Sequence, residues 1–434
     1  MRVTYWCEYA WLPEGVTSAV RIEIANGRIC AVIPGQPPTG AILTGLTTPG
    51  FANAHSHAFH RALRGRTHAD RGTFWTWREL MYRLVTRLDP DSYYRLARGV
   101  YAEMVLAGYT SVAEFHYLHH APGGRRYADP NAMSTALVAA AQDAGIRLCL
   151  LDTCYLTGGF DRPLDGPQLC FGDGTAYDWA ERLAAFRPES EQVVVGAAVH
   201  SVRAVPPVAL PVVAGWARGR PLHVHLSEQR GENEDCLRAY GRTPAAVLAD
   251  GGVLGPRTVA VHATHLTESD VSMISRSGTR ACFCPTTERD LGDGIGPGRA
   301  LLDAGVALCL GSDSHAVIDP FEETRALELD ERLASQARGR FTGAELMAAA
   351  TSHDALGFAD AGRIEPGAAA DLVTVTLGSV RTAGAEPDGV LFAATAADVT
   401  QVLVAGRRVV HDGVHVRVER PAALLAEEVQ RLCQ

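Results

Sequence analysis

The sequence predicts an α/β fold in which a closed (β/α)8 barrel of the TIM type carries a small β-sandwich domain built from both termini. Between residues 50 and 315, eight apolar, β-branched runs alternate with stretches of helical periodicity. Polar residues, many of them histidines, stand at the ends of these runs, where a barrel of parallel strands has its active site. The two ends of the chain instead contain short strand-like runs separated by turns.

The predicted elements follow from local patterns along the chain. The eight predicted barrel strands end at residues 53–55, 112–115, 150–152, 197–200, 222–225, 259–262, 281–284 and 308–313. Helical stretches such as residues 93–107 separate them, while the turn at 25–28 (ANGR) and the run at 402–407 mark flanking strands. Residues 421–433 are predicted to form a helix. We therefore expect a first β-sandwich part over 1–49, the barrel over 50–363, and a second β-sandwich part with the C-terminal helix over 364–434.

The composition is typical of a soluble globular protein. The chain has 434 residues, of which 47% are hydrophobic and 21% charged, and its net charge is −9. This charge argues against binding to nucleic acid or to a membrane surface, and no apolar run reaches the roughly 20 residues of a membrane span. An apolar signal core is absent from the N-terminus, and the ten cysteines include no CxxC pair. We expect a cytoplasmic enzyme that acts on a small molecule.

The absence of lysine narrows the possible chemistry. All 40 basic residues are arginines. The chain therefore cannot use a carboxylated lysine to bridge two metal ions, a lysine Schiff base, or the lysine of a phosphate-binding loop. A metal site in this chain is most simply mononuclear, and an anionic ligand has to be bound by local arginines.

Four short strings at the ends of predicted strands indicate a hydrolytic metal site. They are HSH at residues 55–57, HLSE at 225–228, VHATH at 261–265 and SDSH at 312–315. His55 and His57 are alternate residues of one strand, so both side chains can point at the same ion. Neutral imidazoles together with a carboxylate suit zinc or a similar divalent metal. Each histidine alone could be an ordinary core or surface residue, but four such strings in register with strand ends favour the metal site.

Three of these residues are candidate catalytic groups. Glu228 follows His225 by three residues, so it can reach a metal-activated water without being a ligand, which is the position of a proton shuttle. The alternative for Glu228 is a carboxylate at the start of a helix. His262 would lie over the reacting carbon, and Asp313 would be a ligand that also holds the nucleophilic water.

These motifs resemble the deaminase branch of the amidohydrolase superfamily and, more narrowly, the formimidoylglutamate deiminases. The narrower resemblance is carried by five segments: 74–84 (FWTWRELMYRL), 114–120 (EFHYLHH), 200–205 (HSVRAV), 284–288 (CPTTE) and 291–294 (LGDG). It extends through essentially the whole predicted barrel. It implies one zinc ion per chain, a homodimer, and catalysis by Glu228 and His262. The implied zinc ligands are His55, His57, His225 and Asp313.

The resemblance also implies a set of substrate-binding residues. These are Arg78, Tyr117, His200 and Arg203. Two guanidinium groups are the natural bidentate partners of the two carboxylates of N-formimidoyl-L-glutamate. Without the resemblance, Arg78 could equally be an exposed residue or part of a salt bridge. His60 stands where the family pattern has glutamine, and because either side chain can hydrogen-bond a substrate, we include His60 among the substrate-binding residues.

The reaction expected from these residues is hydrolytic deimination of N-formimidoyl-L-glutamate to N-formyl-L-glutamate and ammonia, as in histidine degradation. The main alternative is a deaminase of the same branch that acts on a guanine, cytosine or adenosine ring. A neutral ring has no use for two arginines, which argues against this alternative. A metal-bearing binding protein without catalysis is a third possibility, against which the presence of Glu228, His262 and Asp313 argues.

Overall fold

The chain begins with four strands that form one part of a mixed β-sheet. The computed structural model describes residues 2–68 and 74–434. The strands are β1 (Arg2–Leu12), β2 (Gly15–Ala25), β3 (Arg28–Ile33) and β4 (Ala41–Pro49). β2 pairs antiparallel with β1 and β3, whereas β4 runs parallel to β1. The predicted turn between β2 and β3 has left-handed φ angles at Asn26 (52°) and Gly27 (77°), as a two-residue hairpin turn requires.

Eight parallel strands follow and form the barrel. They are β5 (Phe51–Ser56), β6 (Tyr109–His116), β7 (Arg147–Cys154), β8 (Val193–Val199), β9 (Leu222–Leu226), β10 (Thr258–His262), β11 (Arg280–Phe283) and β12 (Leu308–Leu310). Each strand pairs in parallel with the next along the chain. All eight predicted runs are strands, and the predicted fold class is confirmed.

The last barrel strand meets the first just beyond its carboxyl end. The backbone N–H of Asp313 donates to the carbonyl of His55 at 3.0 Å, and the N–H of His57 donates to the carbonyl of Asp313 at 3.1 Å. Gly311 lies so close to β5 that a Cβ atom on it would be 2.7 Å from the Cβ of His55. Glycine at this position therefore allows the end of β12 to approach β5, which contains His55 and directly precedes His57.

Helices cover the barrel and connect its strands. They are α1 (Phe74–Val85), α2 (Pro90–Ala107), α3 (Ala132–Ala144), α4 (Ala176–Ala184), α5 (Leu210–Trp216), α6 (Arg230–Tyr240), α7 (Pro244–Asp250), α8 (Glu268–Ser277), α9 (Pro285–Leu291), α10 (Gly298–Asp303), α11 (Pro320–Ser335) and α12 (Gly343–Ala350). Several begin at an oxygen-bearing cap: the Asp89 side chain, for example, accepts a hydrogen bond from the N–H of Ser92 at the start of α2. α2 ends at Gly108, which adopts the left-handed conformation of a helix C-cap.

The C-terminal segment completes the sheet that the N-terminal strands began. Its elements are β13 (Leu372–Val375), α13 (Val390–Ala393), β14 (Val399–Val404), β15 (Arg407–His411), β16 (Val414–His415) and the predicted helix α14 (Pro421–Cys433). β13 pairs with β4, so both termini contribute to one eight-stranded sheet of order β16-β15-β14-β13-β4-β1-β2-β3. The division of the chain after residues 49 and 363 stays a prediction.

Two hydrophobic cores stabilise the barrel and the terminal sheet. The larger one includes the barrel strands and the helices around them, and the smaller one lies against the terminal sheet. The smaller core consists of Tyr5, Cys7, Ala10, Leu12, Val20, Ile22, Ile24, Ile29, Leu43, Ile364, Ala368, Ala370, Leu372 and Leu403. None of the helices within residues 2–68 and 74–434 has the length and apolar composition that a membrane span needs.

Candidate active site

Three histidines and one aspartate meet at the carboxyl end of the barrel. His55 belongs to β5, His57 directly follows that strand, His225 belongs to β9, and Asp313 follows β12. The Nε2 atom of His225 lies 3.1 Å from the Nε2 of His55, and Oδ1 of Asp313 lies 3.4 Å from the Nε2 atoms of both His55 and His57. The structure thus brings together the four residues that were predicted as metal ligands.

Backbone carbonyls orient two of these histidines. Nδ1 of His57 is 2.9 Å from the carbonyl oxygen of Phe115, and Nδ1 of His225 is 2.9 Å from that of His200. Since a carbonyl can only accept, both Nδ1 atoms carry the proton, and both Nε2 lone pairs face the centre of the cluster. Burial lowers the pKa of His57 to about 3 and that of His225 well below its usual value, so both rings are neutral, as metal ligands must be.

The spacing of the four donors fits a zinc ion. Ligands about 2.1 Å from a tetrahedral zinc ion stand about 3.4 Å from one another, close to the 3.1 and 3.4 Å observed here. Without a cation, Nε2 of His55 can donate a hydrogen bond to the lone pair of His225 Nε2, while the buried Nδ1 of His55 has no hydrogen-bond partner in the described part of the chain. A divalent cation at the centre would bind the Nε2 lone pairs and the carboxylate together. The donor set therefore suits a zinc ion bound by His55, His57, His225 and Asp313.

A second buried group of potential ligands is already occupied by an arginine. His116, His119 and Asp152 also offer donor atoms within 4.8 Å of one another. Both carboxylate oxygens of Asp152, however, accept hydrogen bonds from Arg182, at 2.8 and 2.9 Å. A cation at this group would be repelled by the guanidinium, so the cluster at the barrel mouth is the better candidate metal centre.

Glu228 and His262 stand beside the cluster. Nε2 of His262 lies 4.0 Å from a carboxylate oxygen of Glu228 and 3.8 Å from Oδ2 of Asp313. On the other side of the ring, Nδ1 of His262 is 3.4 Å from Oε1 of Glu288, which also accepts a hydrogen bond from the N–H of Cys284 at 2.9 Å. Glu288, from α9, thus orients the His262 ring toward Glu228 and Asp313.

The backbone is strained where the strands end at the site. Five non-glycine residues have left-handed φ angles there: Ser227 (52°), His262 (67°), Ala263 (50°), Asp313 (42°) and His315 (60°). Such conformations cost on the order of 1–3 kcal/mol each and persist when the surrounding structure enforces them. They turn the chain sharply after β9, β10 and β12, and they are typical of functional sites.

A cavity opens above the cluster and contains the predicted substrate-binding residues. All predicted site residues line this cavity except His55, which lies fully buried within the cluster. The lining residues from the prediction are His57, His60, Arg78, Tyr117, His200, Arg203, His225, Glu228, His262 and Asp313. Nε2 of His60 is 2.9 Å from the hydroxyl of Tyr117, and the Arg78 Nε donates to the hydroxyl of Tyr82 at 2.7 Å.

Some residues of the site were not predicted from the sequence. Tyr155 lines the cavity, with its ring centroid 4.4 Å from that of His200. Behind β5, the buried carboxylate of Glu114 accepts hydrogen bonds from the Ser56 hydroxyl and the Ala58 N–H, both at 2.6 Å. Glu114 and Glu288 belong to motifs of the family resemblance, so their positions were marked in the sequence, but only the fold reveals their contacts.

The comparisons with known proteins agree with this architecture. The sequence profile of the amidohydrolase family matches residues 46–409. The chain is 39% identical to the formimidoylglutamate deiminase of Pseudomonas aeruginosa, over 98% of this chain and 99% of that protein. It is 29% identical to the 8-oxoguanine deaminase of the same organism, over 92% and 91% of the two chains.

Solved structures show the same fold. An amidohydrolase from Brucella melitensis superposes with a TM-score of 0.88 at 32% identity, with 100% of both chains covered. A zinc-bound adenosine deaminase from Xanthomonas campestris superposes with a TM-score of 0.84 at 24% identity, over 99% of this chain and 98% of that one. On the profile match and the identity to relatives along its whole length, the chain belongs to the amidohydrolase family.

Proposed function

We propose that this chain is a zinc-dependent formimidoylglutamate deiminase that converts N-formimidoyl-L-glutamate and water into N-formyl-L-glutamate and ammonia, a step of histidine degradation. One observation carries the proposal: two arginines, Arg78 and Arg203, line the same cavity as the cluster of metal-binding side chains. The 39% identity to a formimidoylglutamate deiminase over nearly the whole chain supports the same activity.

The two arginines account for recognition of the glutamate part of the substrate. Each guanidinium is planar and can bind a carboxylate through two parallel hydrogen bonds, and the substrate carries two carboxylates. The chain has a net charge of −9, so the two carboxylates of the substrate gain nothing from the overall charge of the protein and depend on local cations. Arg78 and Arg203 supply them inside the cavity.

The metal proposal is one zinc ion per chain, bound by His55, His57, His225 and Asp313. When bound there, zinc lowers the pKa of a water molecule to about 7 and so makes it a nucleophile at neutral pH. Neutral imidazoles and one carboxylate support zinc, and the absence of lysine from the chain supports a single ion.

Glu228 is proposed to move the protons of the reaction. Its carboxylate accepts a proton from the attacking water, whose oxygen forms a bond to the formimidoyl carbon. Glu228 then donates that proton to the terminal imino nitrogen, which becomes an amino group on the tetrahedral carbon. The proton that remains on the hydroxyl oxygen passes by way of the same carboxylate to this amino group, so that the carbonyl forms, the carbon–nitrogen bond breaks and ammonia leaves. Asp313, whose Oδ2 is 3.8 Å from Nε2 of His262, holds the water on the same side of the carbon.

His262 is proposed to stabilise charge at the reacting carbon. Burial lowers its pKa, but the carboxylates of Glu228, Glu288 and Asp313 outweigh this effect and raise the pKa to about 10. These carboxylates favour a ring with protons on both nitrogens, which would donate one hydrogen bond to Glu288 and present the second N–H toward the reacting group. The pair formed by His60 and Tyr117, joined at 2.9 Å, supplies further hydrogen bonds to the substrate.

Two finer expectations belong to the same proposal. We expect the enzyme to work in the cytoplasm, and the ten free cysteines suit such a reducing compartment. We also expect a homodimer, which size-exclusion chromatography with light scattering can test.

The proposal is tested by product identification with purified, zinc-loaded protein. N-formimidoyl-L-glutamate should yield one equivalent each of ammonia and N-formyl-L-glutamate, while a Glu228→Gln control with the same zinc content should yield almost none. Guanine, cytosine and adenosine are assayed in parallel. Deamination of one of these rings with no turnover of formimidoylglutamate would replace the proposal by a ring deaminase, and zinc binding without any turnover would indicate a binding protein.

A further inference from the structure

Arg203 separates two cavities at the mouth of the barrel. It lines the active-site cavity and also an outer cavity next to it, whose lining includes Gly158, Phe160 and Glu232. Its Nε atom is buried and has no hydrogen-bond partner within residues 2–68 and 74–434. Of the carboxylates in this part of the chain, Glu232 forms the ion pair with that edge of the guanidinium, with 3.9 Å between Nε of Arg203 and Oε2 of Glu232.

Glu232 is a buried carboxylate of helix α6, and its burial needs a compensating partner. It lies in the first turn of α6, and its side chain is 4% exposed. Its Oε1 atom is buried, and no hydrogen-bond donor contacts it in the described part of the chain. A buried carboxylate without hydrogen bonds is costly unless an opposite charge compensates for it. Arg203 is that opposite charge.

A second carboxylate competes for the same arginine. Glu228 lines the active-site cavity together with Arg203, whereas Glu232 lines only the outer cavity. If the guanidinium turned toward Glu228, it would no longer be available to a carboxylate of the substrate, and it would hold the proposed proton shuttle in its charged form. Glu232 attracts the guanidinium toward the outer side and so opposes this pairing.

We propose that Glu232 is a positioning residue: it holds the Nε edge of Arg203 from the outer cavity, which leaves the two Nη groups for a substrate carboxylate and keeps Arg203 apart from Glu228. The inference rests on the proposed function in so far as the bound carboxylate is that of N-formimidoyl-L-glutamate. It assigns to α6 a role in substrate specificity, because the helix that follows the Glu228 loop also sets the orientation of Arg203.

The test is a double-mutant cycle with Glu232→Gln and Arg203→Ala. Since small displacements of a binding group strongly reduce its use, Glu232→Gln should raise KM for N-formimidoyl-L-glutamate by about tenfold at unchanged zinc content. It should also lower kcat, because Arg203 then pairs with the proton shuttle Glu228. In the Arg203→Ala background the same substitution should change KM by less than about twofold. Glu232→Asp, which keeps the charge, should restore part of the wild-type KM. The matched control is Glu234→Gln on the exposed side of α6, which should behave like wild type.

Two outcomes would overturn the proposal. One is a wild-type KM in Glu232→Gln. The other is an increase in KM of equal size when Glu232→Gln is introduced into the wild type and into Arg203→Ala. A lower melting temperature at unchanged KM would indicate that Glu232 only stabilises the start of α6.

A crystal structure of Glu232→Gln separates this inference from the proposed function. The Arg203 guanidinium should leave the outer side and turn toward Glu228, whichever substrate the enzyme accepts. An unchanged guanidinium position would overturn the positioning role even if formimidoylglutamate is the substrate. Wild-type protein that fails to convert formimidoylglutamate, combined with a displaced guanidinium in the variant, would refute the proposed function alone.

Discussion

Gly311→Ala should damage the metal centre through packing alone. A Cβ atom at this position would lie 2.7 Å from the Cβ of His55 and 2.8 Å from its backbone N and O. Carbon atoms pack at about 3.5 Å or more, so β12 or β5 has to move by roughly 0.8 Å. The φ angle of Gly311 is not in the left-handed region, so the backbone conformation itself accepts alanine.

This displacement sets the expected losses of stability, zinc content and activity. Overpacking of this kind costs about 1–3 kcal/mol of unfolding free energy. The backbones of His55 and Asp313 are joined by a hydrogen bond at this point, so a shift of nearly 1 Å also separates these two proposed metal ligands. Misplacement on that scale can reduce turnover by about a hundredfold. We expect a lower zinc content after dialysis and a kcat/KM reduced by at least about tenfold.

The assays are metal analysis, chemical unfolding and steady-state kinetics. The matched control is Gly215→Ala in α5, where an added Cβ meets no atom within 4 Å. It should leave zinc and kcat/KM unchanged and leave stability unchanged or raise it by up to about 1 kcal/mol. A Gly311→Ala protein with full zinc content and wild-type kcat/KM would refute the argument that the close approach of β12 to His55 builds the metal centre.

Three further predictions concern the site and the pH dependence of stability. His225→Ala should lose both zinc and activity, whereas Glu228→Gln should keep zinc and lose most of its turnover, as metal analysis and kinetics can show. Arg78→Ala and Arg203→Ala should each lower kcat/KM on formimidoylglutamate at least about tenfold at unchanged zinc content, because truncating one partner of a desolvated charge pair costs roughly 2–5 kcal/mol. His415→Gln should reduce the loss of stability as the pH falls from 6.5 to 4, measured by unfolding at a series of pH values.

The prediction for His415 follows from its contacts. Burial and, to a smaller extent, the charges of Arg417 and Arg98 lower the pKa of this residue to about 4, whereas the hydrogen bond from Nε2 to the carbonyl of Ala144 at 3.1 Å opposes the shift. Nδ1 accepts from the N–H groups of Arg417 and Val418. Below pH 6.5 the unfolded chain binds a proton at His415 that the folded chain does not, so stability falls with pH until about pH 4. An unchanged slope in His415→Gln would contradict this assignment.

The other two predictions have their own contradicting results. Wild-type turnover in Glu228→Gln would exclude its role as proton shuttle. Full activity on formimidoylglutamate in both arginine variants would exclude recognition of two carboxylates.

The barrel and the metal cluster could be predicted because their signals are local in the sequence. Each predicted barrel strand is a short apolar run that ends at or beside a polar residue, and in HSH the two predicted ligands are alternate residues at the end of one run, so alternation alone predicts that they share a face. In the structure β5 ends at Ser56 and His57 directly follows it. The predicted turn at Asn26 and Gly27 and the helix Pro421–Cys433 are equally local signals, and the structure contains both.

The strand lengths and the side-chain contacts around the site could not be predicted, because they depend on residues that are distant in sequence. Residues 1–49 suggested short strands, yet β1 and β2 are each 11 residues long, because β1 pairs along its length with β2 and also with β4. Nothing local indicates that Glu288 orients His262 or that Glu114 supports the turn after His57. Glu232 has the sequence context of an ordinary first-turn helix carboxylate, and only the fold places it against Arg203.

The central claim is that one cavity presents an amidine to the metal cluster while two arginines hold the carboxylates of the same molecule. The most direct measurement is a crystal structure of zinc-loaded Glu228→Gln with N-formimidoyl-L-glutamate bound. We predict the formimidoyl carbon beside the zinc ligands and His262, with one carboxylate on Arg78 and the other on Arg203. A substrate bound with its carboxylates away from both arginines, or with its amidine away from the cluster, would contradict the claim.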